Sequence, residues 1–270
     1  MPFRKFVEIP VNSENSTLIT LYLVLEEMKV VGIVGSPHRD GLTSRLVRSA
    51  LQGAREGGAY VEIAYLVDYD IEPWSDESMR APEDLNRILR NSDAYVLGAP
   101  VYYLDVNGLT KDFMDTADFG DANGKPGLGI SMAGGTGKGL ILAVKSIYYF
   151  FFCKGIRGIK PLPVSRLNYD EALVEARKLG SELVEMARER RPFRDLRERV
   201  EYYSRLEYME FDMVDELLLL VQQLLRSSPR SCEVKDKAKQ CYETAIGLIK
   251  RGRKVEAIEH VVKAYELLYY

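Results

Sequence analysis

The chain alternates between short apolar runs and longer stretches with helical spacing. The first run, MKVVGIVGS at Met28–Ser36, is rich in β-branched residues and ends in Gly-Ser-Pro, which is typical of a buried parallel strand that leads into a turn. The next stretch, Thr43–Gly57, has apolar side chains three and four residues apart and stops at a glycine pair, which predicts a helix. The pattern therefore opens with a strand, a loop and a helix.

This unit repeats as far as Arg190. The predicted strands after the first are Tyr60–Val67, Ala94–Pro100, Leu128–Ala133 and Ile159–Val164. The predicted helices after the first are Pro82–Arg90, Val106–Ala117, Lys138–Phe152 and Asp170–Arg190. Strands joined by helical crossovers pair in parallel with right-handed connections. We therefore predict an α/β fold with a doubly wound five-stranded parallel sheet.

Strand signals stop after residue 192, and the remaining chain predicts helices. These are Asp195–Arg226, Val234–Lys250 and Val255–Tyr269, with Gly252 at a tight reversal that makes the last two an antiparallel pair. The pattern of the first 27 residues fits either two strands or a strand followed by a helix. Alternatively, the natural protein begins at Met28 and these residues do not belong to it. We therefore divide the chain into an N-terminal extension at 1–27, an α/β domain at 28–192 and an all-helical appendage at 193–270.

Composition narrows the range of partners. The 270 residues carry 37 Lys and Arg against 40 Asp and Glu, so there is no basic excess to attract nucleic acid or anionic lipid. The start lacks the apolar stretch of a signal peptide, and no run reads as a membrane helix. Three scattered cysteines, Cys153, Cys232 and Cys241, form neither a CxxC pair nor a disulfide framework. We therefore expect a cytoplasmic protein that binds neither nucleic acid nor membrane.

The loop after the first predicted strand is the first candidate for a binding site. Ligands of open α/β sheets bind beyond the carboxyl ends of the strands, where the strand order reverses. The loop Gly35–Arg45 offers hydroxyl groups, a cation at Arg39 and the backbone N–H groups of a helix start, which suit a dianionic phosphate. Its glycines do not follow the GxGxxG pattern, and the charge of Asp40 opposes an anion. A polar turn that only caps a helix is the alternative.

Two further loops follow the third and fourth predicted strands. Ala99–Asp105 contains two adjacent tyrosines and suits the edge of a flat heteroaromatic ring, although a helix cap at Asp105 with packed tyrosines is the alternative. Ala133–Gly139 is the most glycine-rich part of the chain, so its backbone N–H groups can approach a ligand. It does not match a Walker A loop, because Gly139 stands where Ser or Thr should follow Lys138.

At these three loops the chain resembles the NADPH-dependent FMN reductase superfamily, in particular its branch of iron–sulfur flavoproteins and multimeric flavodoxin-like reductases. The resemblance rests on Gly35-Ser36-Pro37 and Gly41-Leu42-Thr43, which fit the family frame GSPRxxGxT with His38 in place of its arginine. It also rests on Pro100-Val101-Tyr102-Tyr103 followed by Lys111-Asp112-Phe113-Met114-Asp115, which fit PxYxxxxxxxxKxFxD. The match spans about residues 28–190, and it implies that the sheet is flavodoxin-like, with its five strands in the order 2-1-3-4-5.

The resemblance implies a role for each loop. The residues implied around the phosphate of FMN are Ser36, His38, Arg39, Leu42, Thr43 and Ser44. Those implied along the isoalloxazine ring and the ribityl chain are Pro100, Val101, Tyr102, Tyr103 and Asp105. Ala133, Gly134 and Gly135 are implied on the pyrimidine side of the ring. The flavin carries the chemistry in such proteins, so no catalytic residue is assigned.

The chain departs from the iron–sulfur members at one place. Those members carry a compact cysteine cluster after the second strand, where this chain has Asp70–Ser78 without a cysteine. We therefore predict that it holds no iron–sulfur cluster and no other metal.

The resemblance implies an oxidoreductase that passes electrons from NADPH or NADH through FMN to a quinone, flavin, metal or protein acceptor. The alternatives are an electron carrier or redox-sensing binding module without small-molecule turnover, and a nucleotide-binding scaffold without flavin. The helices beyond residue 192 are expected to serve assembly or partner docking. Five consecutive aromatic residues at Tyr148–Phe152 exceed what one helix face can bury, which indicates a subunit interface and a homo-oligomer.

Overall fold

The computed structural model describes residues 28–270, so the predictions for residues 1–27 lie outside the described residues. Its strands are β1 (Lys29–Val34), β2 (Tyr60–Tyr65), β3 (Ala94–Tyr102), β4 (Asp105–Val106), β5 (Pro126–Ala133), β6 (Arg157–Gly158) and β7 (Leu162–Ser165). Its helices are α1 (Leu42–Glu56), α2 (Glu83–Arg90), α3 (Gly108–Thr116), α4 (Leu140–Lys154), α5 (Tyr169–Glu189), α6 (Leu196–Tyr203), α7 (Met213–Ser227), α8 (Cys232–Lys250) and α9 (Lys254–Tyr269). Strands and helices thus alternate as far as α5, and only helices follow.

The strands form one sheet in the order β2-β1-β3-β5, and β6 and β7 both pair with β5 on its far side. These pairs are parallel, with Val30 of β1 opposite Val61 of β2 and Ala94 of β3. β6 and β7 together take the place of the fifth predicted strand. The predicted doubly wound parallel sheet is therefore confirmed.

Helices cover both faces of the sheet, and the alternation of side chains along the strands explains why. Val30 and Val34 of β1 point into a core shared with α1 and α5. Val31 and Ile33, the residues between them, point into a second core shared with α2, α3 and α4. The strand is apolar on both faces because each face is buried.

The residues beyond 192 divide between two parts of the molecule. Phe193, three residues before α6, and Tyr203, the last residue of α6, are buried in the same core as Tyr148 and Phe151 of α4. The helices α7, α8 and α9 form a third core of their own, which also includes Ala133, Leu140 and Ile141 of the α/β domain. Gly252 has a positive φ of 73° at the predicted reversal between α8 and α9.

The aromatic run at the end of α4 is largely buried within the chain. Tyr148, Phe150 and Phe151 lie in the core below the sheet, and Phe152 packs edge-on against Tyr203, with ring centroids 5.4 Å apart. Tyr149 is the exposed member of the run. One chain therefore buries three of the five rings and partly covers a fourth, and the homo-oligomer stays a prediction.

Three predicted elements have other bounds in the structure. The strand at Ile159–Val164 is split, because Pro161 has no N–H group to continue the pairing. The helix at Val106–Ala117 starts later, after the short strand β4. The single helix at Asp195–Arg226 is two helices, since Asp212 caps a new start at α7 with a capping box. Among residues 28–270, no helix combines the length and apolar character needed to cross a bilayer.

Candidate functional site

The three loops named from the sequence meet at the carboxyl edge of β1, β3 and β5. The end of β1 lies beside Gly98 of β3, and the Gly35 N–H donates to the Gly98 carbonyl at 2.8 Å. The Asn107 side chain, from the start of α3, donates to the Gly35 carbonyl at 2.9 Å. On the other side of β3, Pro100 lies opposite Met132 of β5. The strand order therefore brings the ends of all three strands together.

The first loop presents the start of α1 without a cap. Gly41 occupies the N-cap position and offers no side chain to the helix. Among the described residues, no hydrogen bond uses the backbone N–H groups of Leu42, Thr43 or Ser44. These groups point out of the helix start, where an anion is stabilised by them and by the helix dipole.

Buried hydroxyl groups surround this helix start. Ser36, Thr43 and Ser44 are all buried. The Ser44 hydroxyl oxygen is buried without a hydrogen-bond partner among residues 28–270. A buried hydroxyl without a partner is costly, and a phosphate oxygen at the helix start would satisfy it.

The charged residues of the first loop are mostly paired with one another. Arg39 forms an ion pair with Asp68, and its guanidinium lies 5.0 Å from the centre of the Tyr65 ring. Arg48 pairs with Asp40 at 3.1 Å, which offsets the charge that opposes an anion here. The His38 backbone N–H donates to the Ser36 hydroxyl at 3.1 Å, and the His38 side chain is exposed. The loop therefore presents backbone N–H groups and hydroxyls more than unpaired cations.

The second loop is a tight hairpin between β3 and β4. Val101 pairs with Val106 and Tyr102 with Asp105, which leaves Tyr103 and Leu104 as the two turn residues. Their φ angles are 51° and 72°. These values lie in the left-handed region, which residues other than glycine and asparagine rarely adopt. Tyr103 is fully exposed and Tyr102 half exposed. Strained backbone of this kind is common at ligand sites, and here it holds a tyrosine ring out into solvent.

Two other residues of the second loop have defined places. The side chain of Asp105 accepts from the Val106 N–H at 2.7 Å, and Asn107 stands at the N-cap position of α3. Asp105 is therefore exposed on β4 and does not cap the helix. Pro100 lies partly buried at the edge of the sheet.

The third loop combines an open tip with a tightly held base. A Cβ atom added to Gly134 or Gly135 would have no neighbouring atom of the described residues within 4 Å. The base is crowded: a Cβ on Gly137 would lie 2.8 Å from Leu220 of α7, and one on Gly139 2.6 Å from the Leu104 Cα of the second loop. Ala133, which precedes the tip, is buried against the appendage.

The appendage reaches this base through two polar side chains. The Tyr265 hydroxyl of α9 donates to the Thr136 carbonyl at 3.0 Å. The Glu216 carboxylate of α7 accepts from the backbone N–H groups of Gly139, Ile141 and Leu142, the last two at 3.2 Å each. It therefore caps the start of α4, and burial raises the pKa of Glu216.

The comparisons with known proteins each match part of the chain. The family model described as NADPH-dependent FMN reductase matches residues 28–156. An iron–sulfur flavoprotein of Archaeoglobus fulgidus is 30% identical over 180 residues, which cover 58% of this chain and 80% of that protein. The chain belongs to the NADPH-dependent FMN reductase superfamily. The predicted membership is therefore confirmed.

Two further proteins are similar to this chain, each over 60% of its length. An iron–sulfur flavoprotein of Methanocaldococcus jannaschii is 29% identical over 190 residues, which cover 60% of this chain and 98% of that protein. The solved structure of a flavodoxin from the domain Archaea aligns with a TM-score of 0.46 at 19% identity, over 60% of this chain and 99% of that one. The superfamily model ends at residue 156, so α7, α8 and α9 lie outside it.

The cysteines of this superfamily member lie apart. Cys153 and Cys232 are exposed, and Cys241 is partly buried on α8. Within residues 28–270, no three His, Cys, Asp or Glu side chains are grouped so that they could hold a metal ion.

Several residues that shape the site were not identified from the sequence. Asn107 and Thr110 bind the Gly35 carbonyl and so join the first two loops. An Asn three residues before a Thr at a helix start was a signal that could have been used. Glu216 and Tyr265 gave no signal, because 77 and 129 residues separate them from the loop they contact.

Proposed function

We propose that this chain is an FMN-dependent oxidoreductase that passes electrons from NADH or NADPH through FMN to a quinone, flavin, metal or protein acceptor. The observation that supports it best is the first loop, at the position where the superfamily's GSP frame predicts the phosphate. Among the residues that the structure describes, three N–H groups there have no acceptor and the buried Ser44 hydroxyl has no partner. The donor set fits a dianionic phosphate.

At the phosphate end, Leu42, Thr43 and Ser44 would donate their backbone N–H groups, and the Ser44 hydroxyl would donate a further hydrogen bond. Arg45 forms no ion pair with any described residue, so it is the nearest cation on α1 that can add its charge to the site. Arg39, already paired with Asp68, would close the loop more than bind the phosphate directly.

At the ring end, the site would be formed by the second and third loops. Pro100, Val101 and the exposed tyrosines offer an apolar edge to a flat ring. The open tip at Gly134 and Gly135 leaves room for backbone N–H groups to approach the polar rim of that ring. FMN supplies the electron and hydride chemistry when it is bound, and the chain binds and orients it.

A second candidate is an electron carrier or redox-sensing module without small-molecule turnover. The contacts of α7 and α9 with Thr136, Gly137 and Gly139 favour it, because they connect a helical region suited to partners with a loop of the proposed flavin site. Both candidates need FMN, and they differ in whether a nicotinamide reduces it.

The purified protein tests both candidates in one series of measurements. We expect a yellow solution whose released cofactor is FMN by mass spectrometry, with bleaching on anaerobic addition of NADH or NADPH. FAD as the main species would refute the choice of cofactor. Bleaching by dithionite alone would favour the carrier, and a protein that binds no flavin after reconstitution would refute the proposal.

We also propose that the chain holds no iron–sulfur cluster. The full sequence contains three cysteines, one too few for a cluster held by four thiolates of one subunit. Iron and acid-labile sulfide should therefore be absent from protein purified anaerobically. Stoichiometric amounts of both would refute this proposal and leave the proposal for FMN intact.

A further inference from the structure

The two helix starts at the carboxyl edge of the sheet are treated differently. The start of α1 has no cap, as expected of a site kept for an external anion. The start of α4 is occupied by a carboxylate from within the chain, that of Glu216. A local Ser, Thr or Asp is the usual cap of a helix, whereas this one comes from 77 residues further along the chain.

The place of Glu216 is costly for a carboxylate. The residue is 3% exposed, and within residues 28–270 its hydrogen-bond partners are backbone N–H groups with no cation among them. The nearest ion pairs on the same helix start, Lys254 with Asp212 and Asp215, lie in the more exposed turn before it. A neutral cap could satisfy N–H groups without bringing a charge into the interior, so the charge itself calls for an explanation.

The contacts of Glu216 fall on the third loop. Its carboxylate accepts from the N–H of Gly139, the last residue of the loop, which has a φ of 95°. Leu220 packs against Gly137, and the Tyr265 hydroxyl donates to the Thr136 carbonyl. The tip at Gly134 and Gly135 is left open. The base of the loop is thus fixed before any ligand binds, which lowers the ordering cost of binding.

The charge of Glu216 also acts on whatever lies over the loop. Without a cap, the α4 dipole and N–H groups would stabilise negative charge on a neighbouring ligand. With the carboxylate in place, that positive end is already neutralised. Reduction adds negative charge to a flavin ring, so the carboxylate disfavours the reduced ligand relative to the oxidised one.

We propose that Glu216 is a positioning residue of the FMN site, which fixes the third loop through the start of α4 and makes the site bind reduced FMN less tightly, relative to oxidised FMN, than a neutral residue would. This inference rests on the function proposed above. It gives the appendage a direct part in the properties of the flavin site, and Glu216 acts on the cofactor only through the loop and its charge.

The variant Glu216→Gln tests the proposal, with Gln223→Met as the matched control. Gln223 is a buried polar residue on the same helix whose side chain accepts from the Ser165 hydroxyl at 2.7 Å and forms no hydrogen bond with α4 in the part of the chain that the structure describes. In Glu216→Gln, the ratio of the dissociation constants of reduced and oxidised FMN should move roughly three- to thirtyfold towards tighter binding of the reduced form. The ratio in Gln223→Met should stay at the wild-type value.

Amide hydrogen exchange without FMN gives an independent readout on the unaltered protein. The N–H groups of Gly139, Ile141 and Leu142 should exchange roughly tenfold or more slowly than those of Leu42, Thr43 and Ser44, since among residues 28–270 only the first set has an acceptor. Glu216→Gln keeps one of the two acceptor oxygens and should reduce this difference, and Gln223→Met should keep it. The comparison of the two helix starts in the wild-type protein needs no variant. It can therefore refute the proposal even if Glu216→Gln fails to fold.

The outcomes separate the two proposals. Equal exchange at the two helix starts of the wild-type protein overturns the role of Glu216, and so does an unchanged ratio of dissociation constants in Glu216→Gln. A wild-type protein that protects the α4 amides but binds no FMN in either redox state overturns the proposed function instead.

Discussion

Two serines on α1 have the same chemistry but different surroundings, and this difference yields a test of the phosphate site. The Ser49 hydroxyl donates to the Leu173 carbonyl of α5 at 2.7 Å, whereas the buried Ser44 hydroxyl has no partner among the described residues. Ser44→Ala should therefore leave the free energy of unfolding of the FMN-free protein unchanged or slightly higher. It should weaken FMN binding about ten- to hundredfold, the effect of one hydrogen bond to a charged group.

Ser49→Ala is the matched control for this experiment. It should lower the free energy of unfolding by about 1 kcal/mol and leave the FMN affinity unchanged. Calorimetry of FMN binding and chemical denaturation of both variants give the two quantities. Equal FMN affinity in the Ser44→Ala and wild-type proteins would mean that the phosphate binds elsewhere.

The raised pKa of Glu216 predicts how the stability of the molecule depends on pH. Burial raises the pKa of Glu216, and its three backbone hydrogen bonds reduce the shift without cancelling it. The folded state therefore binds this proton more tightly than the unfolded chain does. The contribution of Glu216 to stability is largest below its unfolded pKa of about 4.3 and falls as the pH rises through the raised folded value.

Denaturation curves measured from about pH 4 to about pH 7, in steps of about 0.5 unit, give the free energy of unfolding at each pH. This free energy should fall with rising pH in the wild-type protein and change less in Glu216→Gln. The neighbouring Lys254 holds the pKa of Asp212 below its usual range, which gives a slope of the opposite sign at lower pH. Lys145, which donates to the Phe211 carbonyl, also lies close to the start of α7. Both groups are present in the two proteins, so the difference between the profiles isolates Glu216. Parallel profiles would contradict the prediction.

At the scale of elements, the apolar runs predicted what depends on local pattern. β1, β3 and β5 are buried on both faces and connect through helices, so their apolar runs and the helical periodicity between them identify them as parallel strands. The hairpin of β3 and β4 was missed because its turn residues, Tyr103 and Leu104, replace the Asn-Gly pair that marks such turns. The tight turn is imposed by the surrounding structure and not by local preference.

The start of α7 was missed for a different reason. The residues between α6 and α7 contain neither glycine nor proline, so the helical pattern seemed continuous from Asp195 to Arg226. The break is stabilised by tertiary contacts, since Lys145 of α4 binds the Phe211 carbonyl at 2.6 Å and Asp212 then caps the new helix. Contacts between residues so distant in the sequence leave no trace in the periodicity of one segment.

The same limit applies to the site. Ser36, Thr43 and Ser44 could be named from the sequence because a strand, a polar loop and a helix start follow one another directly. The third loop could be located by its glycines, but the residues that hold it could not. Glu216 and Tyr265 belong to helices whose local pattern indicates only burial, and the fold alone brings them to the loop.

At the scale of the whole molecule, the contacts of α6 bear on where the α/β domain ends. The Tyr203 hydroxyl donates to the Ile156 carbonyl at 2.5 Å and accepts from the Gly158 N–H at 3.2 Å, and the Tyr202 hydroxyl donates to the Gly158 carbonyl at 2.7 Å. These bonds cover the edge of the sheet beside β6. The Arg157 guanidinium lies 4.0 Å from the centre of the Phe193 ring and 4.6 Å from that of the Tyr202 ring. Residues 193–203 therefore pack as part of the α/β domain.

Two truncations test this arrangement and the role of the appendage together. A chain that ends after Arg191 loses Phe193, Tyr202 and Tyr203 and should show no cooperative thermal transition, because a core cluster and a sheet edge are exposed. A chain that ends after Glu210 keeps α6 and should unfold cooperatively. It exposes Leu140, Ile141 and the start of α4, so we expect a lower transition temperature and some self-association.

The FMN affinity of the longer truncation is the decisive measurement. If the appendage only served assembly or docking, as the sequence suggested, this affinity would equal that of the full chain. We expect it to be weaker, because without Glu216, Leu220 and Tyr265 the third loop would have to become ordered when FMN binds. The Ser44→Ala exchange made in the truncated chain is the control, since the phosphate end should respond as it does in the full chain. Equal affinity in the truncated and full chains would show that the flavin site and the appendage are separable.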